Sequence, residues 1–418
     1  MKIIFQDPTF SFQLLRVIAE TYYKGADIGE CLSTAYRIQE GDFESWYKGW
    51  LKTAQRIHKY ADESLAKGHK ISACQAYLRA SNYYRAAEFL LMDPEDPRIQ
   101  TTWRNSKECF RKAAELFLPP VKVEAIEIPY EQTTLPGYLY KLDYCYCSDD
   151  DNGDDSKQSK PRPTLIAHGG FDSTLEELYT SAAAPALERG YNCLTFEGPG
   201  QGGVIRKQKI PFRYDWEKVV TPVIDYALTS KTKEIDPNRM ALMGISMAGY
   251  LAARAAAFEH RVSACILYNG VYDGYNALAS SFPKSLLTAI ENGDSKVVNM
   301  VLDILIDSDP NTRFNIQHGM WTAGANAPFE LIQNSKKYTI KDIVQNIRCP
   351  TLVLEAEKDD SFSGQPKKVY DILTCPKSYI RFTEQEGAEE HCQCGASALC
   401  NQRIFDWLDD IFQKKTSA

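Results

Sequence analysis

Met240-Ala241-Leu242-Met243-Gly244-Ile245-Ser246-Met247-Ala248-Gly249-Tyr250-Leu251-Ala252-Ala253-Arg254-Ala255-Ala256-Ala257 runs from an apolar strand, through a tight turn, into an alanine-rich helix. Ser246 sits at the apex of that turn. A strand–turn–helix with a serine at the bend is the context of a nucleophile elbow, where a sharp backbone turn lifts a hydroxyl above a sheet. Small neighbours are required, because larger side chains would clash inside the turn. The literal pattern G-x-S-x-G is not met: Ala248 takes the second glycine position and Gly249 follows. Alanine is small enough to fit.

The surroundings of the elbow alternate strand and helix. Apolar strands are expected at 164–167, 192–196, 240–243, 264–268, 351–355 and 379–382. Helices are expected at about 174–189, 214–229, from the elbow to Glu259, and at 398–413. Continuous apolar strands separated by helices indicate a mostly parallel sheet covered on both faces. Upstream, 9–118 reads as helices. Ala73, Tyr77, Ala80, Tyr84, Ala87 and Leu91 mark one helix face, and Asp96-Pro97 starts the next helix as N-cap and N1. After Pro120 the pattern turns to period two over 121–128, with a second strand at 135–140. The acidic run Asp149–Asp155 reads as a solvated loop rather than a cation site. More than 70 mainly helical residues separate the strands at 264–268 and 351–355, too many for one crossover.

The expected organisation is therefore an α/β fold in three parts. Residues 1–120 form an N-terminal helical lid domain, 121–272 with 346–418 the catalytic core, and 273–345 an inserted helical cap.

His168-Gly169-Gly170-Phe171 directly follows the strand 164–167. In hydrolases built around such an elbow, this loop supplies backbone N–H groups to an oxyanion hole. Met247, just after the serine, is one expected donor; Gly170 or Phe171 is the other. His168 reads as a structural residue orienting the loop. Triads of this kind run in the order serine, acid, histidine, so only His260, His318 and His391 can supply the base. His260 ends the helix after the elbow and His318 lies in the insertion, leaving His391, past the last strand. The acid should close the preceding strand; Asp359 fits that spacing, Asp360 is the alternative, and Glu357 is less well placed. Cys392-Gln393-Cys394 has C-x-C spacing without a second ligand cluster, so no metal is expected. Glu197-Gly198-Pro199-Gly200-Gln201-Gly202-Gly203 lacks the order of a nucleotide-binding loop and reads as a flexible loop near the site, so no cofactor is expected.

Composition narrows the partners. The chain has 418 residues, 44% hydrophobic and 25% charged, within the globular range. No apolar run reaches the roughly 18 residues of a membrane span. Met1–Pro8 breaks after three apolar residues, so no secretory signal is expected. The net charge of −7 and the absence of a basic stripe argue against nucleic acid. The 12 cysteines are too sparse for a disulfide scaffold, and a cytoplasmic protein with reduced thiols is expected. A homodimer is the base-rate expectation.

These motifs together resemble the α/β-hydrolase superfamily. Within it, the chain resembles the group with an N-terminal helical domain that includes 2,6-dihydroxypseudooxynicotine hydrolase, FrsA-like esterases and many fungal hydrolases of secondary metabolism. Gly41–Tyr47, Leu135–Leu139, His168–Thr174, Glu197–Gly202, Ile235–Arg239, Glu390-His391-Cys392 and Phe405–Leu408 carry the likeness, which covers nearly the whole chain. The resemblance implies Ser246 as nucleophile, Asp359 as acid and His391 as base. It also implies that the N-terminal helices and the insertion close over the site together. Family members cleave esters, or carbon–carbon bonds beside a ketone, in aromatic or polyketide-like substrates. A small hydrophobic substrate is expected, with Phe171, Met247, Trp46, Tyr47, His318 and Trp321 as candidate contacts. The same triad also serves acyl transfer, condensation or cyclisation, and a catalytically inert binding protein is a further alternative.

Overall fold

Aspartates start four of the five described N-terminal α-helices, all but the one at Lys70–Glu88. Asp7 accepts the Phe10 N–H ahead of α1 (Pro8–Ala19), Asp27 caps α2 (Ile28–Ala35), and Asp42 caps α3 (Phe43–Ala66). Asp96 accepts the Arg98 N–H ahead of Pro97, starting α5 (Pro97–Ala114) as expected; α4 (Lys70–Glu88) precedes it. Each cap satisfies an N–H that the first helical turn leaves unpaired. The computed structural model describes residues 1–143, 161–280 and 282–416, with side chains to Gln413. The acidic run 149–155 lies outside the described residues.

Strands β1 (Val121–Tyr130) and β2 (Thr133–Leu142) form a hairpin on the edge of one eight-stranded sheet. The others are β3 (Arg162–His168), β4 (Asn192–Phe196), β5 (Ile235–Ile245), β6 (Ala264–Tyr268), β7 (Thr351–Ala356) and β8 (Lys377–Phe382). Their order is β1-β2-β4-β3-β5-β6-β7-β8, and every pairing from β4 to β8 is parallel. The chain steps from β3 outward to β4 and then back across to β5. Such a reversal opens a crevice beyond the carboxyl ends of the central strands.

Strands β4 and β6, most of β3 and the 240–244 stretch of β5 are buried, as their apolar runs require. One sheet face shares a continuous core with α1–α5. The other packs on α7 (Glu217–Ser230) and α8 (Ala248–Ala256). The helix expected at 174–189 is shorter than its pattern. It is a widened turn at Tyr179–Ala183 leading into α6 (Ala184–Glu188). Pro185 is the reason: it lacks an N–H, and its ring would strike the carbonyl one turn back in a regular helix.

Between β6 and β7 lie α9 (Gly274–Ala279), α10 (Lys284–Glu291), α11 (Ser295–Ser308), α12 (Pro310–Ala323) and α13 (Pro328–Ser335). They bury a small cluster of their own around Val298, Leu302 and Ile332. The ends of this block meet in a single bridge between Asp273 and Thr339. Helices α14 (Gln365–Ile372) and α15 (Ser397–Thr416) complete the chain. No helix among the described residues is long and apolar enough to cross a membrane.

Candidate active site

Ser246 leaves β5 with φ = +65°, a left-handed backbone that a non-glycine residue adopts only when its surroundings enforce it. The enforcement is visible. The Ser246 N–H donates to the Tyr268 carbonyl at 2.5 Å, and the Gly249 N–H to the Ser246 carbonyl at 2.8 Å. A side chain on Gly249 would strike the Asn269 carbonyl, and one on Gly244 the Ala248 carbonyl. The glycines are therefore needed where the helix crosses the strand ends, whereas Ala248 fits with its side chain buried.

Three elements bring the polar groups together. Ser246 Oγ lies 2.9 Å from Nε2 of His391, on the loop after β8. His391 Nδ1 lies 2.8 Å from Oδ2 of Asp359, just past β7. With Nδ1–H donating to the carboxylate, Nε2 is bare and can accept a hydrogen bond from the serine hydroxyl. Asp359 accepts further from the Asn269 amide and, at 3.1 Å, from the Ser361 N–H. Asp360 makes no such contact with the ring: among the described residues the carboxylate on Nδ1 is that of Asp359. Burial works to lower the His391 pKa. The Asp359 carboxylate and the neighbouring Cys392 thiol outweigh it and leave the imidazole well above its ordinary value.

The loop after β3 faces this trio. A side chain on Gly170 would come within 2.9 Å of the Met247 nitrogen and 3.2 Å of Ser246 Cβ, so the Gly170 backbone lies against the elbow. No backbone carbonyl among the described residues accepts the N–H of Gly170, Phe171 or Met247 outside regular elements. His168 is fully buried against Phe196 and Trp216, and burial pushes its pKa down to about 4, so it is a neutral strut.

A cavity of about 590 Å³ opens above Ser246, with Phe171 and Met247 in its wall. The other expected contacts lie elsewhere. Trp46 is fully buried between α3 and α4, its indole N–H donating to the Ala86 carbonyl at 2.8 Å. It belongs to the apolar stripe of α3 with Trp50, Ala54, Ile57 and Ala61. Tyr47, one residue on, faces away and stacks under Arg98. His318 sits behind Phe171, its ring 5.0 Å from the phenyl, rather than on the cavity wall. Trp321, a turn further, lies under the Arg206 guanidinium. Helix α12 turns Phe314 and Asn315 to the cavity instead.

The glycine-rich stretch 197–203 is likewise not a flexible loop. It is buried throughout, because its own side chains take up its backbone donors. Glu197 accepts from the N–H groups of Leu175 and Gly203, both at 2.7 Å, and Gln201 Oε1 from Gly198 at 2.8 Å. Gln201, Asn269, which donates to Asp359, and Arg16 and Arg85, which donate to Asp172, are residues around the site that sequence reading missed. Cys392 and Cys394 border the cavity, and Cys392 Sγ lies 3.3 Å from His391 Nε2. Among the described residues no group of three or more His, Cys, Asp or Glu is arranged to hold a metal ion.

No protein-family model matches the chain. Whole-length relatives do. The hydrolase LUC6 of a Fusarium species is 37% identical, over 99% of this chain and 98% of its own. The 20-hydroxy-prefusarin hydrolase FUS2 of Gibberella moniliformis is 35% identical over 99% of both chains. The alpha/beta hydrolase psoB of Aspergillus fumigatus is 33% identical over 98% of this chain and 94% of its own. Among solved structures, the 2,6-dihydroxy-pseudo-oxynicotine hydrolase superposes with a TM-score of 0.72 at 22% identity, over 94% of this chain and 95% of that one. A mostly parallel sheet with a serine elbow and whole-length relatives of this kind place the chain in the α/β-hydrolase superfamily, among the fungal hydrolases of secondary metabolism that carry an N-terminal helical region.

Proposed function

We propose that the chain is a serine hydrolase acting on a small hydrophobic metabolite, with Ser246 as nucleophile, His391 as base and Asp359 as orienting acid. The observation that carries this reading is the continuous relay from Asp359 to His391 at 2.8 Å and on to Ser246 at 2.9 Å. His391 Nε2 takes the Ser246 proton as Oγ bonds to the substrate carbonyl carbon. The carbonyl electron pair moves to oxygen, where the N–H groups of Met247 and of Gly170 or Phe171 receive it. Collapse expels the leaving group, an alkoxide or the enolate carbon of a ketone, which takes its proton from His391. Water then repeats the sequence and frees the acid.

The cavity supports the substrate class. Its volume suits one small molecule, and Phe12, Phe212, Val271, Phe314, Leu331 and Tyr338 give it apolar walls. One relative is named a 20-hydroxy-prefusarin hydrolase, and with the resemblance to fungal hydrolases of secondary metabolism this makes a polyketide-like ester or ketone the first substrate to test. The helices of 1–120 and of 273–345 act as two covers that enclose it. The test is labelling by a fluorophosphonate probe followed by peptide mapping. Labelling should fall on Ser246 and vanish in Ser246→Ala; labelling that persists in that variant would overturn the assignment. Product analysis with added alcohol then reads whether water alone accepts the acyl group.

A further inference from the structure

Four consecutive carbonyls of the loop after β3 are held by side chains from three distant parts of the chain. The Gln201 amide donates to the Gly169 carbonyl, and to that of Gly170 at 3.3 Å. His318 Nε2 lies 3.3 Å from the Phe171 carbonyl. Burial, reinforced by Arg206, pushes the His318 pKa down to about 4, so the ring is neutral and donates through that nitrogen. Arg85 Nη2 donates to the Asp172 carbonyl at 2.9 Å.

The direction of these bonds matters more than their number. In a trans peptide the C=O of one residue and the N–H of the next point opposite ways. Anchoring the Gly169 carbonyl therefore aims the Gly170 N–H away from Gln201, and anchoring the Gly170 carbonyl does the same for Phe171. Gly170, Phe171, Ser246 and Met247 border the cavity, whereas Gln201 is 2% exposed and lies outside it. Carbonyls that point at Gln201 leave their N–H partners pointing into the cavity. The Gln201 amide cannot turn round, because its Oε1 already accepts the Gly198 N–H at 2.8 Å.

We propose that Gln201, seconded by His318, is the positioning residue that aims the oxyanion donors of Gly170 and Phe171. The proposal rests on the reading of Ser246 as nucleophile. On this reading the buried 197–203 stretch carries an amide to the back of the oxyanion loop. Helix α12 of the insertion likewise takes part in catalysis through His318 without touching substrate.

The test compares wild type with Gln201→Leu, which keeps the bulk and removes both donors. An aryl trifluoromethyl ketone serves as the probe, because its hemiketal on serine presents an oxyanion. Adduct formation on Ser246, followed by fluorine NMR, is checked first in wild type; failure there sinks the nucleophile assignment and not this one. In Gln201→Leu, kcat on a p-nitrophenyl ester should fall about 10- to 100-fold with KM nearly unchanged. The inhibition constant of the ketone should rise by the same factor, and the pH at which activity is half lost in acid should stay put. A purely structural role would raise KM or move that pH together with kcat. Unchanged ketone affinity in a folded Gln201→Leu overturns the proposal. If that variant does not fold, His318→Phe decides: it keeps the stack on Phe314 and removes the donor to Phe171. A parallel loss of kcat and ketone affinity supports the proposal, and no change in either overturns it.

Discussion

The two helical covers over Ser246 are built differently. Helices α1–α5 share one uninterrupted apolar core with a face of the sheet. Charged groups cross that boundary: Arg16 pairs with Asp172 and Glu177, both at 2.8 Å, Arg85 with Glu177 at 3.4 Å, and Glu88 with Arg206. The inserted helices α9–α13 instead keep a separate small core, and the two ends of the insertion meet in one bridge. Their links to the rest are local, such as Phe314 stacked on Phe89 with centroids 4.6 Å apart. The N-terminal cover is thus part of the scaffold that holds the loop after β3. The insertion is a module with its own core that meets that scaffold through a few side chains, His318 on the Phe171 carbonyl among them.

Breaking the charged seam gives the largest expected effect. Arg16→Ala leaves the half-buried Asp172 and Glu177 without their main partner and should cost about 3 kcal/mol in urea unfolding. The loss has a pH signature. Burial works to raise the Asp172 carboxyl, but Arg16 and Arg85 outweigh it and hold it well below the ordinary carboxylate range. A depressed carboxylate stabilises the fold above its unfolded pKa, and that contribution fades as pH falls. The gap between Arg16→Ala and wild type should therefore narrow in acid, and acid unfolding of the variant should begin at a higher pH. A constant gap from neutral pH to acid would deny the seam its role.

Opening the insertion should be milder and confined. Leu302 is fully buried in the separate cluster. Leu302→Ala should cost about 2 to 3 kcal/mol of local stability. Hydrogen exchange should quicken in 284–335, while α1–α5 and the central strands keep their protection. Equal quickening in both covers would show that they unfold as one.

The same contrast explains what could be read from sequence. The elbow was legible because strand, serine turn and small-residue helix are contiguous in the chain. His391 was legible because few histidines follow Ser246, and Asp359 because it ends a strand. The support behind them was not. Gln201 meets its carbonyls 32 and 31 residues away, and His318 meets Phe171 at a separation of 147, so no local pattern announces either. Trp46 and Tyr47 were misread for a physical reason. An aromatic residue on an amphipathic helix serves core or ligand equally well until the partner face is known, and Trp46 lies on the buried stripe of α3. The glycine-rich stretch was misread because glycine signals freedom, whereas Glu197 and Gln201 remove it by capturing the backbone.

The central claim is that Asp359 and His391 drive the chemistry of Ser246. The pH dependence of kcat/KM, for wild type and Asp359→Asn on one activated ester, tests it most directly. The base must be neutral, so activity falls as pH drops through the His391 pKa. Because Asp359 raises that pKa, the wild-type acid limb should lie well above the ordinary value of 6.5. In Asp359→Asn the limb should move to lower pH while kcat drops by about 10⁴-fold. An acid limb that stays where it was, with kcat little changed, would contradict the account.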